Sequence, residues 1–185
     1  FTLPAGKYHL KFVVRENVTG HMGSFETDIN VPDLSKSPVK LSSVVLASQR
    51  QPAPTKSKEV DPLVKDGQLW VPNVAHVFRQ DGHLYLLYEV YSPQKTASDK
   101  TSAVQAQGQS PRLLTSIEFL SGSTKVFETP LVEATKLTDS SRNVIAFQFD
   151  VPLKDLKPGP YTCQVNVIDD RAGAFSFPRT GVLVR

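Results

Sequence analysis

LKPGPYTCQVNVIDDRAGAFSFPRTGVLV occupies residues 156–184, and LPAGKYHLKFVVRENVTGHMGSFETDINV, at residues 3–31, aligns with it without a gap. The identical pairs are Leu3/Leu156, Gly6/Gly159, Tyr8/Tyr161, Val14/Val167, Gly20/Gly173, Thr27/Thr180 and Val31/Val184. In both stretches apolar and polar residues alternate before a glycine-containing turn, which is the pattern of a strand with one buried face. We therefore predict that each stretch is the closing β-hairpin of a β-domain. The chain is expected to start with the end of one such domain and to continue through a complete second one.

The rest of the chain follows the same two-residue period. Residues 84–91 (LYLLYEVY) are apolar on nearly both faces, which predicts a central strand of a sheet. Residues 130–138 are the best helical candidate, and they are short. Many short strands with frequent turns favour an all-β fold, namely an immunoglobulin-like or fibronectin-like antiparallel β-sandwich. The further predicted strands lie near 39–47, 68–71, 74–79, 113–120, 125–129 and 145–151.

Composition excludes some classes of function. The chain has 185 residues, a net charge of +3 and scattered basic residues, which argues against nucleic-acid binding. No apolar run is long enough to span a membrane. The lone Cys163 cannot form an internal disulfide bond. Because Phe1 is not an initiator methionine, we expect a mature form or an excised fragment, from which a targeting segment could have been removed.

The proline-rich segment 32–38 (PDLSKSP) predicts a boundary between two parts of the chain. Residues 1–35 are assigned to a closing hairpin and its linker, and residues 36–185 to a complete sandwich. Because an isolated hairpin is marginally stable, we expect the first one to be docked. It either completes an upstream domain, or docks on a sheet edge of this chain or of a neighbouring copy, which would be hairpin-mediated self-association. Residues 48–62 and 92–111 are predicted loops, the second either functional or a plain solvated excursion.

Residues 156–163 (LKPGPYTC) have the features of a tyrosine corner. Proline and glycine form a bend, and Tyr161 enters the strand two residues before a core position, where its hydroxyl can bond to upstream backbone. Tyr8 repeats the arrangement. A second cysteine is lacking, and Trp70 does not fall on the apparent central strand, so the sequence departs from a true immunoglobulin domain.

Candidate metal-binding and catalytic residues each have a structural alternative. Asp33, Ser35 and Ser37 have the D-x-S-x-S spacing of von Willebrand A-type cation sites, but they also suit a linker. Asp169-Asp170 and its counterpart Glu16-Asn17 could bind Ca²⁺, although such residues at hairpin tips are usually turn formers. We assign no metal ion, cofactor or catalytic residue. The residues weighed for catalysis are the four histidines, His9, His21, His76 and His83, which lie singly, and Cys163, which falls on an apolar strand face.

Aromatic side chains allow a further hypothesis. If one sheet face were open, Trp70, Tyr85 and Tyr91 could form a platform for a sugar or a peptide, and the alternative is that they belong to a core. Asn17-Val18-Thr19 fits the glycosylation sequon, which also arises by chance in hairpin turns.

Three segments carry a family resemblance. Residues 74–93 (VAHVFRQDGHLYLLYEVYSP), residues 41–46 (LSSVVL) and the L-x-P-G-x-Y hairpin ending at residues 169–173 resemble the C-terminal region of von Willebrand A-related proteins of Acidobacteria. The resemblance implies a bacterial protein that is secreted or located in the cell envelope, with the A-type domain upstream and no catalytic residue here. We expect a non-catalytic module for adhesion, spacing or protein–protein interaction, whose partner is a protein or a cell surface. The alternative is a carbohydrate-binding accessory module of a secreted enzyme.

Overall fold

Residues 3–54, 61–93 and 110–185 are described by a computed structural model. The chain divides into two units, Phe1–Ser37 and Pro38–Arg185. Strands dominate both units, and the described residues contain no α-helix. The predicted all-β class with antiparallel sheets is confirmed.

The first unit is a β-hairpin followed by a short turn. Strand β1 (Gly6–Arg15) pairs antiparallel with β2 (Met22–Val31) along its whole length. A 3-10 turn follows at Leu34–Lys36, and Asp33 caps its start by accepting a hydrogen bond from the Ser35 amide at 3.0 Å. We call residues 3–31 the first hairpin and residues 156–184 the second hairpin.

The second unit, residues 38–185, contains twelve strands among the described residues. They are β3 (Val45–Pro52), β4 (Val64–Lys65), β5 (Gln68–Pro72), β6 (Val77–Phe78), β7 (His83–Tyr91), β8 (Leu113–Ser121), β9 (Thr124–Glu128), β10 (Val132–Ala134), β11 (Val144–Pro152), β12 (Gly159–Asp169), β13 (Ala174–Ser176) and β14 (Arg179–Val184). The second hairpin comprises β12, β13 and β14.

These strands form two sheets. One has the order β11-β7-β3-β5-β4, so β7 is an inner strand, as its apolar sequence predicts. The other has the order β10-β8-β12-β14-β6, with β9 paired to β8 and β13 paired to β12. The pairing is antiparallel except between β14 and β6. We call this two-sheet unit the sandwich.

One apolar core joins the two sheets. Leu84, Leu86 and Tyr88 of β7 belong to the same buried cluster as Cys163 and Val165 of β12. Burial of this apolar surface is the main force that holds the sheets together.

A buried chain of hydrogen bonds also links the sheets. The Thr115 hydroxyl donates to the Asn166 carbonyl at 2.5 Å, so the Tyr88 hydroxyl must be the donor to Thr115 Oγ1, also at 2.5 Å. Desolvation, opposed in part by the bond to Thr115, raises the pKa of Tyr88, and the phenol therefore stays neutral.

Some predicted elements need correction. Residues 130–138 are not helical, because Val132–Ala134 forms β10 and pairs with the β8 edge. A nine-residue apolar pattern cannot distinguish a short edge strand from a helix. The predicted loop 48–62 begins as strand, since β3 continues to Pro52 by pairing with β5. Residues 55–60 and most of the second predicted loop, residues 94–109, lie outside the described residues.

Two predicted strands are shorter than expected. In the 39–47 segment the strand begins at Val45, and Leu41 makes only an isolated bridge to Val90. In the 74–79 segment only Val77–Phe78 is a strand, and the preceding His76 has a left-handed backbone with φ of 52°. That conformation interrupts an extended chain.

Candidate functional site

The first and second hairpins pair in the same register. Gly6 lies opposite Val31 in the first hairpin, and the aligned residues Gly159 and Val184 lie opposite each other in the second. The next matching pair is Tyr8 with Ile29, which corresponds to Tyr161 with Val182. Since the side chains of directly opposed residues share a face, the aligned residues occupy equivalent faces in both hairpins.

Both hairpins also contain the predicted tyrosine corner. The Tyr161 hydroxyl donates to the Lys157 carbonyl at 2.6 Å, and the Tyr8 hydroxyl donates to the Pro4 carbonyl at 2.8 Å. In each case the acceptor lies four residues upstream. The predicted hydrogen bond back to the chain is therefore confirmed at both positions, although its place in an immunoglobulin-like fold is a separate inference.

The acidic residues at the two hairpin tips form turns. Asp169 Oδ1 accepts the Ala172 amide at 3.0 Å, and Glu16 Oε2 accepts the Thr19 amide at 2.5 Å, in each case three residues further along the chain. Gly20 and the aligned Gly173 have left-handed φ values of 74° and 59°, which a β-carbon would strain. The tip carboxylates, considered above as cation ligands, thus bond to backbone amides.

The same tip position has a different electrostatic environment in the two hairpins. Burial raises the pKa of Asp169, with the Ala172 amide acting in the opposite direction. The Thr19 hydroxyl, together with nearby amides, lowers the pKa of the exposed Glu16. Beside the second tip, Asp170 forms an ion pair with Arg112 at 2.8 Å.

The two hairpins differ most in what covers their apolar faces. Val165 and Val167 of the second hairpin are 2% and 0% exposed, whereas the aligned Phe12 and Val14 are 53% and 70% exposed. Phe25, opposite Phe12, is also exposed, and the two rings are tilted with centroids 6.3 Å apart. We call this surface of the first hairpin the apolar hairpin face; its members are Tyr8, Leu10, Phe12, Val14, Phe25, Thr27, Ile29 and Val31.

The other sequence candidates occupy structural positions. Besides the Ser35 amide, Asp33 Oδ1 accepts the Ser35 hydroxyl at 2.6 Å, so the D-x-S-x-S motif closes its own turn. Cys163 is buried, and burial raises the pKa of its thiol to about 12, which keeps it protonated and unreactive. Within residues 3–54, 61–93 and 110–185, no group of three or more His, Cys, Asp or Glu side chains has a geometry that suits a metal ion.

Two of the four histidines, His9 and His83, contact carboxylates. His9 contacts Asp28 at 2.7 Å and Glu26 at 3.2 Å on the polar face of the first hairpin. Hydrogen bonding to Asp28, and then to Glu26, raises the pKa of His9. In the sandwich, His83 contacts Asp150 at 2.5 Å.

Trp70, Tyr85 and Tyr91 do not form the open platform considered above. Trp70 is fully buried, and its ring meets Tyr85 edge-on at 86°. The Arg50 guanidinium lies 4.2 Å from the centre of the Tyr85 ring and so covers it in a cation–π contact. Tyr91 is half-buried.

The structure brings forward an aromatic pair that sequence analysis missed. Phe175 and Phe177 are 60% and 44% exposed, and their rings stack with centroids 5.2 Å apart. By strand register they share a face with a polar network of β12 and β14, in which Gln164 bonds to Asn166 at 2.6 Å and to Arg179 at 2.6 Å. Two phenylalanines on alternate positions of a strand predict a shared face, but the sequence does not say whether that face is covered.

A charged cluster was missed as well. Glu89 is nearly buried and receives two bonds from the Arg142 guanidinium, at 3.1 and 2.8 Å, and one from Lys65 Nζ at 2.7 Å. Burial alone would raise the pKa of Glu89, but Arg142 and Lys65, with the Tyr91 hydroxyl, outweigh it and lower the pKa to about 2. These residues are far apart in sequence, so no local pattern could have revealed the cluster.

Comparison with known proteins gives no identification, since no protein-family model and no curated protein matches the chain. Among the residues that the structure describes, no helix has the length and apolar character needed to cross a membrane.

Proposed function

We propose that this chain is a non-catalytic β-sandwich module of a larger protein, acting in adhesion, spacing or protein–protein interaction. The proposal rests on the similarity of the two hairpins. They share the same strand register, the same tyrosine-corner hydrogen bond and a tip at which an acidic side chain bonds to a turn amide. A repeated closing hairpin is expected where similar sandwich modules follow one another along a polypeptide.

An immunoglobulin-like topology for the sandwich is part of this proposal. The sheet orders β11-β7-β3 and β8-β12-β14 correspond to the E-B-A and C-F-G orders of that fold. Tyr161 enters β12, which takes the place of strand F, where the tyrosine corner of immunoglobulin-like domains occurs. Such sandwiches commonly serve as extracellular binding or spacer domains, although fold alone does not determine function.

The chemistry of the described side chains supports a non-catalytic role. The thiol of Cys163 is buried and protonated, and the acidic residues at both tips bond to their own turns. The export of the protein and its bacterial origin rest on the resemblance to von Willebrand A-related proteins alone.

A hairpin exchange tests whether the two hairpins are equivalent modules. Residues 156–184 of the full chain are replaced by the sequence of residues 3–31. Because register and corner match, we expect the variant to unfold cooperatively in urea, as reported by the fluorescence of the buried Trp70. Leu10 and Phe12 are larger than the Cys163 and Val165 that they replace, so overpacking is expected to cost about 1–3 kcal/mol.

A second graft separates overpacking from a wrong premise. In it the transplanted sequence carries cysteine and valine at the positions of Leu10 and Phe12, which restores the side chains of Cys163 and Val165. Cooperative unfolding of either graft supports the proposal. If both grafts lose the cooperative transition, the hairpins are not equivalent and the proposal fails.

The non-catalytic part has its own test. The full chain is assayed against panels of esterase, peptidase and glycosidase substrates, and we expect no turnover above that of a heat-denatured sample. Turnover that copurifies with the chain and disappears in a His83→Ala variant would contradict this part of the proposal.

A second candidate function is carbohydrate binding, favoured by the exposed pair Phe175 and Phe177 beside the amides of Gln164 and Asn166. Aromatic faces bind the C–H surface of sugar rings, and amides bind the hydroxyls. A glycan array measures this directly. Binding that is lost in Phe175→Ala and kept in Phe25→Ala, an equally exposed phenylalanine of the first hairpin, would place a sugar site here.

A further inference from the structure

The second hairpin docks on two surfaces of the rest of the sandwich. Its strand β12 pairs antiparallel with β8 from Thr162 to Asp169, on the edge away from β14. Its apolar face packs against the opposite sheet, in one cluster with Leu84, Leu86 and Tyr88 of β7. Residues 38–155 supply both surfaces, the β8 edge and the opposite sheet, and we call this stretch the open sandwich.

The first hairpin presents the same two surfaces as the second hairpin. Residues 9–16 align with residues 162–169. Strand β1, which contains residues 9–15, pairs only with β2 among the described residues. The apolar hairpin face aligns with the buried face of the second hairpin, and Phe12, Val14 and Phe25 are exposed on it. An unpaired strand edge together with an exposed apolar face is a binding surface for another sheet.

We propose that the first hairpin closes another β-sandwich, one that is built like the open sandwich and lacks its own last hairpin. That partner supplies an antiparallel edge strand to residues 9–16 and an apolar sheet to the apolar hairpin face. The inference rests on the proposed function and specifies the partner that a modular role requires.

A second copy of the chain is a poorer occupant. Its β8 already pairs with its own β12, from Leu113 to Leu120, so it offers no free edge of that kind. Its opposite sheet is likewise covered by its own second hairpin, since Val165 and Val167 are buried in the shared core. A partner sandwich that lacks its own last hairpin can pair with the β1 edge and cover the apolar hairpin face at the same time.

The test adds a copy of the open sandwich to the full chain. An extra copy of residues 38–155 is placed directly before Leu3, so that Asp155 is followed by Leu3 as it is naturally followed by Leu156. Hydrogen exchange is then measured for the amides of residues 9–16. We expect exchange to slow by at least about 100-fold relative to the chain without the added copy, because the edge becomes part of a cooperative sheet.

Two neighbouring residues provide a matched control. Phe12 and Val13 are almost equally exposed, at 53% and 55%, but they point to opposite faces of β1. Phe12→Asp places a charge on the apolar hairpin face and should abolish the added protection. Val13→Asp should leave the protection unchanged, because Asn166, the residue that aligns with Val13 in the second hairpin, is polar.

Other outcomes contradict the proposal. If the added copy fails to protect residues 9–16, the test is repeated with Leu10→Cys and Phe12→Val, which match the side chains of the second hairpin. Absence of protection in both polypeptides overturns the proposal, and if the hairpin exchange has succeeded, the modular function survives without it. Sedimentation that shows a dimer of the natural chain, lost in Phe12→Asp and kept in Val13→Asp, would assign the surface to a second copy and also overturn it.

Discussion

The first and second hairpins share register, tyrosine corner and tip geometry. They differ in burial, because Val165 and Val167 of the second are buried while the aligned Phe12 and Val14 of the first are exposed. Cross-strand register follows from local alternation and from the turn, and both are present in each sequence. Burial depends on sheets contributed by other parts of a chain. The sequence of a hairpin can therefore specify its register and its turn, whereas its stability depends on a partner that covers its apolar face.

The largest expected difference is the response to a charge on the apolar faces. Val165→Asp places a carboxylate in the core between two sheets, and we expect it to destabilise the sandwich by at least about 4 kcal/mol or to prevent folding. Phe12→Asp, at the aligned position, should change the stability of the sandwich by less than about 0.5 kcal/mol, because Phe12 is exposed and belongs to the other unit. Urea unfolding followed by Trp70 fluorescence measures both; equal losses would contradict the comparison.

The next largest effect concerns charges. Glu89 of the sandwich is buried, whereas Glu133 of the sandwich is exposed, as are the paired charges of the first hairpin. Glu89→Gln removes a carboxylate that Arg142 and Lys65 hold, and we expect a loss of about 3 kcal/mol at neutral pH. Glu133→Gln removes an exposed partner of Arg112 and should cost at most about 1 kcal/mol.

The pH dependence gives a further check on Glu89. Its pKa is lowered to about 2 in the folded protein, so its contribution is fully present above the ordinary pKa of 4.5 and is lost as pH falls through about 2. The difference in stability between the natural chain and Glu89→Gln should therefore shrink in acid. A difference that stays constant from pH 7 to pH 2 would mean that Glu89 does not act through its charge.

Much of the fold could be predicted from sequence because the strands carry a strict alternation. The all-β class, the inner position of β7 and the hydrogen bonds of Tyr8 and Tyr161 all follow from local patterns. The wrong helix at 130–138 shows the limit, since β10 is a strand only because the β8 edge is there to pair with it.

The candidate sites were less predictable because they depend on contacts between distant residues. Trp70 was considered for an exposed platform, but its burial is set by how β5 and β7 pack. The Glu89 cluster joins β4, β7 and the residues before β11, and Phe175 with Phe177 is exposed because nothing in the described part of the chain covers it. None of these outcomes is encoded within a single segment.

A smaller effect is expected from the tyrosine corners. Tyr161→Phe removes the hydroxyl that donates to the Lys157 carbonyl and should destabilise the sandwich by about 1 kcal/mol. Tyr8→Phe removes the equivalent bond to Pro4 and should leave the Trp70 transition unchanged while speeding amide exchange in the first hairpin. A shift of the Trp70 transition in Tyr8→Phe would mean that the two units unfold together.

The smallest effect belongs to His9, which has no charged counterpart in the second hairpin because the aligned residue is Thr162. Asp28 and then Glu26 raise the pKa of His9 above its ordinary 6.5, so the stability gained is fully present below pH 6.5 and is lost as pH rises through the raised value. An NMR titration, with the His9 signal assigned by its loss in His9→Gln, should give a midpoint above 6.5. Added salt should move that midpoint back toward 6.5, because these exposed charges are screened. A midpoint at or below 6.5 in low salt would show that the pairing is absent in solution, and the His9 contacts would then add nothing to the stability of the first hairpin.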